Sequence, residues 1–167
     1  AFAIFKPASD VSVTAADTDA REAGPKTVTF TVTRTGDVSE ALAVSYTMGG
    51  TAANGADYNS LPGSVTIPAG AASVDVLLTP IDDAEAELAE TATLTLAASE
   101  DYSVVPPASA TVTITDNETP TVDLEVVYPS MYERLAGDYA RLRVVRRGDI
   151  SAPSFVANLT YSGTAGG

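Results

Sequence analysis

Carboxylates are the side chains of this chain with the clearest capacity for chemistry: it carries 22 Asp and Glu against 9 Lys and Arg and contains no His, Cys or Trp. Asp82, Asp83, Glu85, Glu87 and Glu90 lie close together, Asp116, Asn117 and Glu118 follow one another, and Glu22 and Asp57 stand apart. Carboxylates brought within about 4–6 Å repel one another and are disfavoured as anions unless a cation intervenes. Calcium takes about six to eight oxygens in a flexible shell, whereas magnesium's smaller octahedron tolerates irregular loops poorly. The eight carboxylates of Glu22, Asp57, Asp82, Asp83, Glu87, Glu90, Asp116 and Glu118 offer sixteen oxygens. That exceeds one ion's shell, so the pattern predicts two or more Ca2+ ions sharing bridging carboxylates. The alternative reading of the same residues is a solvated acidic rim without metal.

Such distant residues meet only if the elements between them return to one place. Val28, Phe30 and Val32 alternate with Thr27, Thr29, Thr31 and Thr33, the signature of a strand with one buried face. The same period recurs at Val11/Val13, Val44/Tyr46/Met48, Val65/Ile67, Val74/Val76, Leu94/Leu96 and Val112/Ile114, separated by turn signals such as Gly24-Pro25, Gly36-Asp37, Gly49-Gly50, Asn54-Gly55 and Pro62-Gly63. Ala84 to Ala92 is rich in helix formers and is read as a short helical turn. The pattern predicts an all-β, antiparallel β-sandwich of about seven strands. If successive strands reverse direction, the loops after the first, third and fifth and the tail after the seventh emerge at one end. Those segments hold all the carboxylates named above, while the opposite loops hold Asp37, Glu40, Glu100 and Asp101.

The rest of the composition removes other functions. Without His or Cys there is no basis for Cys/His zinc sites, disulfides, or His- or Cys-based catalysis. Residues 1–120 carry 17 acidic and 4 basic residues, which disfavours nucleic acid as a partner. Paired carboxylates can hydrolyse sugars, but no aromatic-rich cleft is indicated, so an enzyme is not expected. No run approaches 18 apolar residues, and Ala1 to Pro7 is too short for a signal peptide, so no direct membrane insertion is expected.

Residues 121–167 hold five acidic and five basic residues, a change of balance that falls beside Thr119-Pro120. Phe30-Thr31-Val32-Thr33-Arg34-Thr35-Gly36-Asp37 reappears as Leu142-Arg143-Val144-Val145-Arg146-Arg147-Gly148-Asp149 at a displacement of 112, Gly50-Thr51-Ala52 as Gly163-Thr164-Ala165 at 113, and Glu22 has a counterpart in Glu133 at 111. These repeats predict an N-terminal extension (1–9), a complete sandwich (10–119) and an incomplete second β unit (120–167) of a tandem array. The final segment is then frayed, held against the first unit, or completed by another copy.

Gly50-Thr51-Ala52-Ala53-Asn54-Gly55-Ala56-Asp57-Tyr58, Gly63 to Gly70, Ile81-Asp82-Asp83 with Glu87 and Glu90, and Ile114-Thr115-Asp116-Asn117-Glu118 resemble the Calx-beta domain, as does the Arg34-Thr35-Gly36-Asp37 turn. This is the sandwich module of sodium–calcium exchangers and many bacterial surface proteins. The resemblance covers residues 10–119 and implies an immunoglobulin-like sandwich whose distal loops bind calcium. It places Glu22, Asp57, Asp82, Asp83, Glu87, Glu90 and Asp116 on liganding positions and Glu85 where a backbone carbonyl serves. Asn117 and Glu118 stand where the exchanger domains have Asp, and Ala84 where they have a further Asp, which bears on affinity and ion number. Residues 121–167 resemble the start of a second such domain, with Glu133 as a first ligand.

The function expected is a calcium-binding structural and adhesive module of an extracellular or cell-surface protein, its ions rigidifying the distal loops and the junction with neighbouring tandem domains. A regulatory calcium sensor and a metal-independent spacer in an adhesin or fibre are the alternatives. Partners expected are neighbouring domains of the same protein, other surface proteins, or another copy. Tyr58 is read as packing its loop, Gly55 and Gly63 as turn formers, and Asn158-Leu159-Thr160 as a chance glycosylation triplet on a strand. Arg141, Arg143, Arg146 and Arg147 are read as a basic stripe facing the acidic end of the first unit.

Overall fold

The structure is a computed structural model that describes residues 9–128, 141–148, 156, 158–160 and 162. The chain divides into a first unit of Ala1–Ala84 with Leu88–Asn117 and a second of Glu85–Glu87 with Glu118–Gly167.

In the first unit the period-two pattern becomes β1 (Ser9–Ala15), β2 (Asp19–Arg21), β3 (Val28–Thr35), β4 (Leu42–Gly50), β5 (Ser64–Ile67), β6 (Ser73–Leu78), β7 (Glu90–Leu96), β8 (Tyr102–Val104) and β9 (Ser109–Thr115). They form a four-stranded sheet in the order β6-β3-β1-β8 and a five-stranded sheet in the order β2-β9-β7-β4-β5. Val11, Val13, Phe30 and Val32 of the first sheet and Val44, Ile67, Leu94, Val112 and Ile114 of the second are buried in one apolar cluster. Threonines alternate with them along β3, β7 and β9, and the Thr93 and Thr111 hydroxyls lie 2.8 Å apart across neighbouring strands. Each fully buried Val, Leu, Ile or Phe contributes about 1.5–3 kcal/mol, so the two inner faces together drive the layers to close.

The immunoglobulin-like, all-β architecture agrees with expectation, but the sheets are mixed rather than wholly antiparallel. β1 pairs β8 in parallel and β2 pairs β9 in parallel. Both added strands are three residues long and sit at sheet edges. A strand of that length shows too few alternations to be read from sequence. Tyr102 fixes the β8 edge: its buried hydroxyl donates to the Ala97 carbonyl at 2.9 Å and accepts from the Ser45 amide at 3.2 Å. The helical turn expected over Ala84 to Ala92 is not formed. Glu90 onward is taken by β7, which pairs β4 and β9, and the stretch left over is shorter than an isolated helix needs.

Arg34 is an inward cation on β3, only 3% exposed. Its guanidinium donates to four backbone carbonyls: Glu40 at 2.8 Å, Ala71 and Pro68 at 3.0 Å, and Val38 at 3.2 Å. It thereby ties the β3–β4 turn to the β5–β6 turn.

In the second unit β10 (Thr121–Tyr128) and β11 (Arg141–Arg147) form an antiparallel pair. The expected basic stripe is corrected here. Arg143 pairs with Glu125 and Arg147 with Asp123 on one face of this hairpin, and Arg146 falls on the opposite face because successive strand residues alternate. Asn158, Leu159 and Thr160 are exposed and outside any strand, contrary to expectation. Glu133 lies outside the described residues.

Arg34→Ala is expected to lower stability by about 2–3 kcal/mol, since it empties a buried site and removes several charge-assisted hydrogen bonds. Urea unfolding of the two proteins checks this, and Arg34→Lys should recover only part of the loss because one ammonium cannot span four acceptors.

Candidate metal centre

The loops that carry the acidic residues are tied to one another by their backbones. β2 ends at Arg21, paired with Thr115 of β9, and the next amide, Glu22, donates to the Thr115 carbonyl at 3.2 Å. The loop after β2 is thus stitched to the segment after β9. Arg21 and Lys26 exchange two backbone hydrogen bonds, at 2.9 and 3.2 Å, closing the tight turn that holds Glu22. Lys26 Nζ adds ion pairs to Asp17 at 3.0 Å and Asp19 at 3.2 Å, and Arg21 pairs with Asp19 at 2.8 Å. The Glu22 residue itself is only 4% exposed.

Asp57 is placed from several directions. Its backbone amide donates to the Ala53 carbonyl at 3.1 Å, and its Oδ2 accepts from the Ala53 amide at 2.6 Å. Its carbonyl accepts from Ile81 at 3.0 Å, which joins the loop after β4 to the loop after β6. Tyr58, next in sequence, is 1% exposed and packs into the sandwich core. Asn54 closes the loop by donating to and accepting from the Leu61 backbone at 3.0 and 2.9 Å. Asn59 does the same with Leu77 and Thr79 at 3.3 and 2.7 Å. Gly50 brings this loop against the start of β7: a Cβ there would lie 2.0 Å from the Thr91 carbonyl oxygen, so no side chain fits. The Ala52 amide then donates to that same carbonyl at 3.0 Å, which sets the Asp57 loop beside Glu90.

The result is two acidic pairs in the first unit. Glu22 and Asp82 present carboxylate oxygens within 4.8 Å of each other, and so do Asp57 and Glu90. Asp57 and Glu90 are half-buried and Asp82 is exposed. Asp83 is exposed on the loop after β6; Asp116 is half-buried and Asn117 exposed directly after β9. Glu85, Glu87 and Glu118 belong to the second unit, the first two exposed and the third half-buried. Sequence reasoning missed the residues that hold the carboxylates in place: Asn54, Asn59 and the Arg21/Lys26 turn. Asn54-Gly55 was legible as a turn, but hydrogen bonding from Asn59 to residues twenty positions away leaves no local trace.

Oxygen donors alone, gathered in two pairs of which one includes the buried Glu22, suit a hard cation. A divalent ion between two carboxylates this close would be attracted by both. The residues present therefore fit calcium and offer no soft ligand for zinc or copper.

The Calx-beta domain profile matches residues 8–118. The chain belongs to the Calx-beta domain family. Among solved structures it is similar to the apo-form Calx CBD1 domain, at 26% identity and a TM-score of 0.52, covering 64% of this chain and 97% of that one. It is also similar to CBD12 from CALX1.2, at 26% identity and a TM-score of 0.53, covering 64% of this chain and 44% of that one. CBD12 of CALX1.1, described as a calcium binding domain, matches at 27% identity and a TM-score of 0.51, covering 63% and 44%. The Calx-beta match thus spans less than half of each CBD12 chain. No curated protein matches the chain. Family membership makes this a non-catalytic module, and among the described residues no helix is long and apolar enough to cross a membrane.

Tyr58→Ala is expected to cost about 3–5 kcal/mol and to loosen the Asp57 loop, whereas Tyr58→Phe, which keeps the buried ring, should cost far less. Thermal melts and proteolysis within residues 53–61 check both. A second expectation concerns pH. The Asp19 amide and Lys26 hold the Asp17 carboxyl below its ordinary value of 3.8, and Arg21 and Lys26 do the same for Asp19. Hydrogen bonding to Asp17 and Asp19 holds Lys26 above its ordinary 10.5. The carboxylates' contribution is fully present above pH 3.8 and lost as pH falls through their lowered folded values. The Lys26 contribution is present below pH 10.5 and lost as pH rises through its raised value. These groups are solvent-exposed, so the effect should be small and weaken with salt. Urea midpoints of wild type and Lys26→Gln should draw together as pH falls below 3.8 and as it rises above 10.5.

Proposed function

We propose that the first unit is a calcium-binding structural module in which Glu22, Asp57, Asp82, Asp83, Glu90 and Asp116 supply carboxylate oxygens and Asn117 an amide oxygen, for two or more ions. The observation that carries this reading is the pairing of Glu22 with Asp82 and of Asp57 with Glu90 on loops stitched together by backbone hydrogen bonds. Two separate pairs favour more than one ion. Membership of the Calx-beta family, and similarity to a structure described as a calcium binding domain, supports calcium over other hard cations.

Bound calcium supplies fixed positive charge, with no chemical step. The chain's own residues do the rest: Asn54, Asn59 and the Arg21/Lys26 turn hold the loops at a spacing that repulsion would otherwise widen. Filling the site should order the loops after β2, β4, β6 and β9. Because Glu118 leads through Pro120 into β10, the same order would extend to the junction with the neighbouring unit. A module that stiffens on metal binding suits a tandem array of an extracellular or cell-surface protein, with adhesion as its setting.

Calorimetric titration of metal-stripped protein should show saturable uptake of two or more calcium ions with a midpoint of about 0.1–1 mM, the range of extracellular modules. At 100-fold excess over Kd the melting transition should rise by the equivalent of about 2.7 kcal/mol for each independently bound ion. Glu22→Gln with Asp82→Asn should weaken uptake, as should Asp57→Asn with Glu90→Gln. A midpoint at or below about a micromolar would point instead to a regulatory sensor. No heat and no shift in melting would leave a metal-independent spacer.

A further inference from the structure

Asn54-Gly55 is the one Asn-Gly dipeptide of the chain, and it sits on the loop after β4 that carries Asp57. An Asn side chain ends in an amide carbon that the backbone nitrogen of the next residue can reach by closing a five-membered ring. A following side chain crowds that approach, and glycine has none. Gly55 takes a φ of +88°, and a Cβ there would meet nothing closer than 3.7 Å, so the turn conformation selects glycine and brings the reactive dipeptide with it. Asn54 and Gly55 are both exposed, so water reaches them.

In the closed loop both reacting groups are already engaged. The Gly55 N–H, which has to lose its proton in the attack, donates to the Tyr58 carbonyl at 3.0 Å. The Asn54 side chain is held at both ends by Leu61: its Nδ2 donates to the Leu61 carbonyl at 3.0 Å, and its Oδ1 accepts from the Leu61 amide at 2.9 Å. Asn54 and Tyr58 also form an isolated parallel bridge, and the Tyr58 ring is buried in the core. These bonds must break before Asn54 Cγ and the Gly55 nitrogen can meet. Asn59 of the same loop is held in the same double manner by Leu77 and Thr79, but Ser60 follows it.

We propose that Asn54 is a self-modification site gated by opening of the loop over residues 53–61. Once the loop opens, the Gly55 nitrogen attacks Asn54 Cγ as its proton passes to solvent. The N–Cγ bond forms, the Cγ–Nδ2 bond breaks, and Nδ2 takes up a proton and leaves as ammonia. Water then opens the cyclic imide at either carbonyl, leaving an aspartyl or an isoaspartyl residue. No electrons are exchanged, and water is the sole co-reactant. Neither product restores the closed loop. As aspartate, position 54 sets an anionic oxygen against the Leu61 carbonyl where Nδ2 had donated, two acceptors in contact. As isoaspartate, the backbone gains one carbon between positions 54 and 55, which throws the bridge to Tyr58 out of register. The reaction is irreversible, so it accumulates with the time the loop spends open and releases the segment that positions Asp57. It does not depend on calcium.

Ageing of the 167-residue chain at one fixed pH, native and in urea beyond its unfolding midpoint, tests this. Peptide mapping by mass spectrometry follows each asparagine, with isoaspartyl peptides separated by chromatography. In urea, Asn54 should convert faster than Asn59, Asn117 and Asn158. In the native chain it should convert at least about tenfold more slowly than in urea, because only the open fraction reacts. Asn59→Ala, which frees the loop from Leu77 and Thr79, should move the native rate towards the unfolded one while the melt shows a folded sandwich. If that variant does not fold, wild type in urea below its midpoint decides, and conversion should rise ahead of global unfolding. The converted native chain, purified by its added negative charge, should show faster amide exchange at Gly55 and Leu61 and faster proteolysis within residues 53–61. Equal native and unfolded rates, or conversion that follows global unfolding alone, overturn the gating. No preference for Asn54 in urea overturns the site, and unchanged exchange in the converted chain overturns the release of the loop.

Discussion

Repulsion among carboxylates gathered on neighbouring loops is the constraint on which the first unit depends. Glu22 lies buried within reach of the Asp82 carboxylate, and Asp57 within reach of Glu90. Such pairs persist only because something else sets their spacing. Two backbone stitches do so: Glu22 to Thr115, and Asp57 to Ile81. The first ends on β9 at Thr115, and the second lies beside the isolated bridge between Tyr58 and Pro80, so loosening the loops would require breaking the end of the β2–β9 pair and that bridge. Side-chain amides of Asn54 and Asn59 close the remaining loop onto the sheet. A cation held there would relieve the repulsion and reinforce the stitches together.

The core beneath supplies the rigidity these loops need. Alternating Val, Leu, Ile and Phe from two sheets interlock, while Thr covers much of the outside. Two polar residues placed inward act as fasteners. Arg34 gathers carbonyls from two turns at one end, and Tyr102 links the β8 edge to β4 through its hydroxyl. Both satisfy buried polar groups with backbone acceptors or donors, the condition under which burial of a polar side chain stabilises.

The same sequence logic leads to opposite states in the two units. Phe30 and Val32, and Leu142 and Val144, are apolar residues in equivalent registers, yet the first two are buried and the second two exposed. Among the described residues the β10–β11 pair forms a sheet of two strands, each paired along one edge, with no further strand in that sheet. Burial is therefore a property of the second layer, which the first unit possesses through β4, β7 and β9.

Much of the fold was legible in the residues themselves, because strand alternation repeats every two residues and needs no distant partner to be recognised. Seven of the nine strands of the first unit stood out this way, as did the direction count that sends Glu22, Asp57, Asp82 and Glu90 to one end. The parallel edges formed by β2 and β8 did not, because three residues carry no period. Nor did the helix-rich composition of Ala84 to Ala92 determine its conformation, since pairing of β7 with β4 and β9 outweighed local propensity. Arg143 and Arg147, read as part of a basic stripe with Arg141 and Arg146, instead pair with Glu125 and Asp123 across a hairpin. What tertiary structure alone decided was which carboxylates stand within 4.8 Å of which. Residue type and spacing assign an acidic residue to a loop, but the distance between two loops is set by hydrogen bonds and packing among residues far apart in the chain.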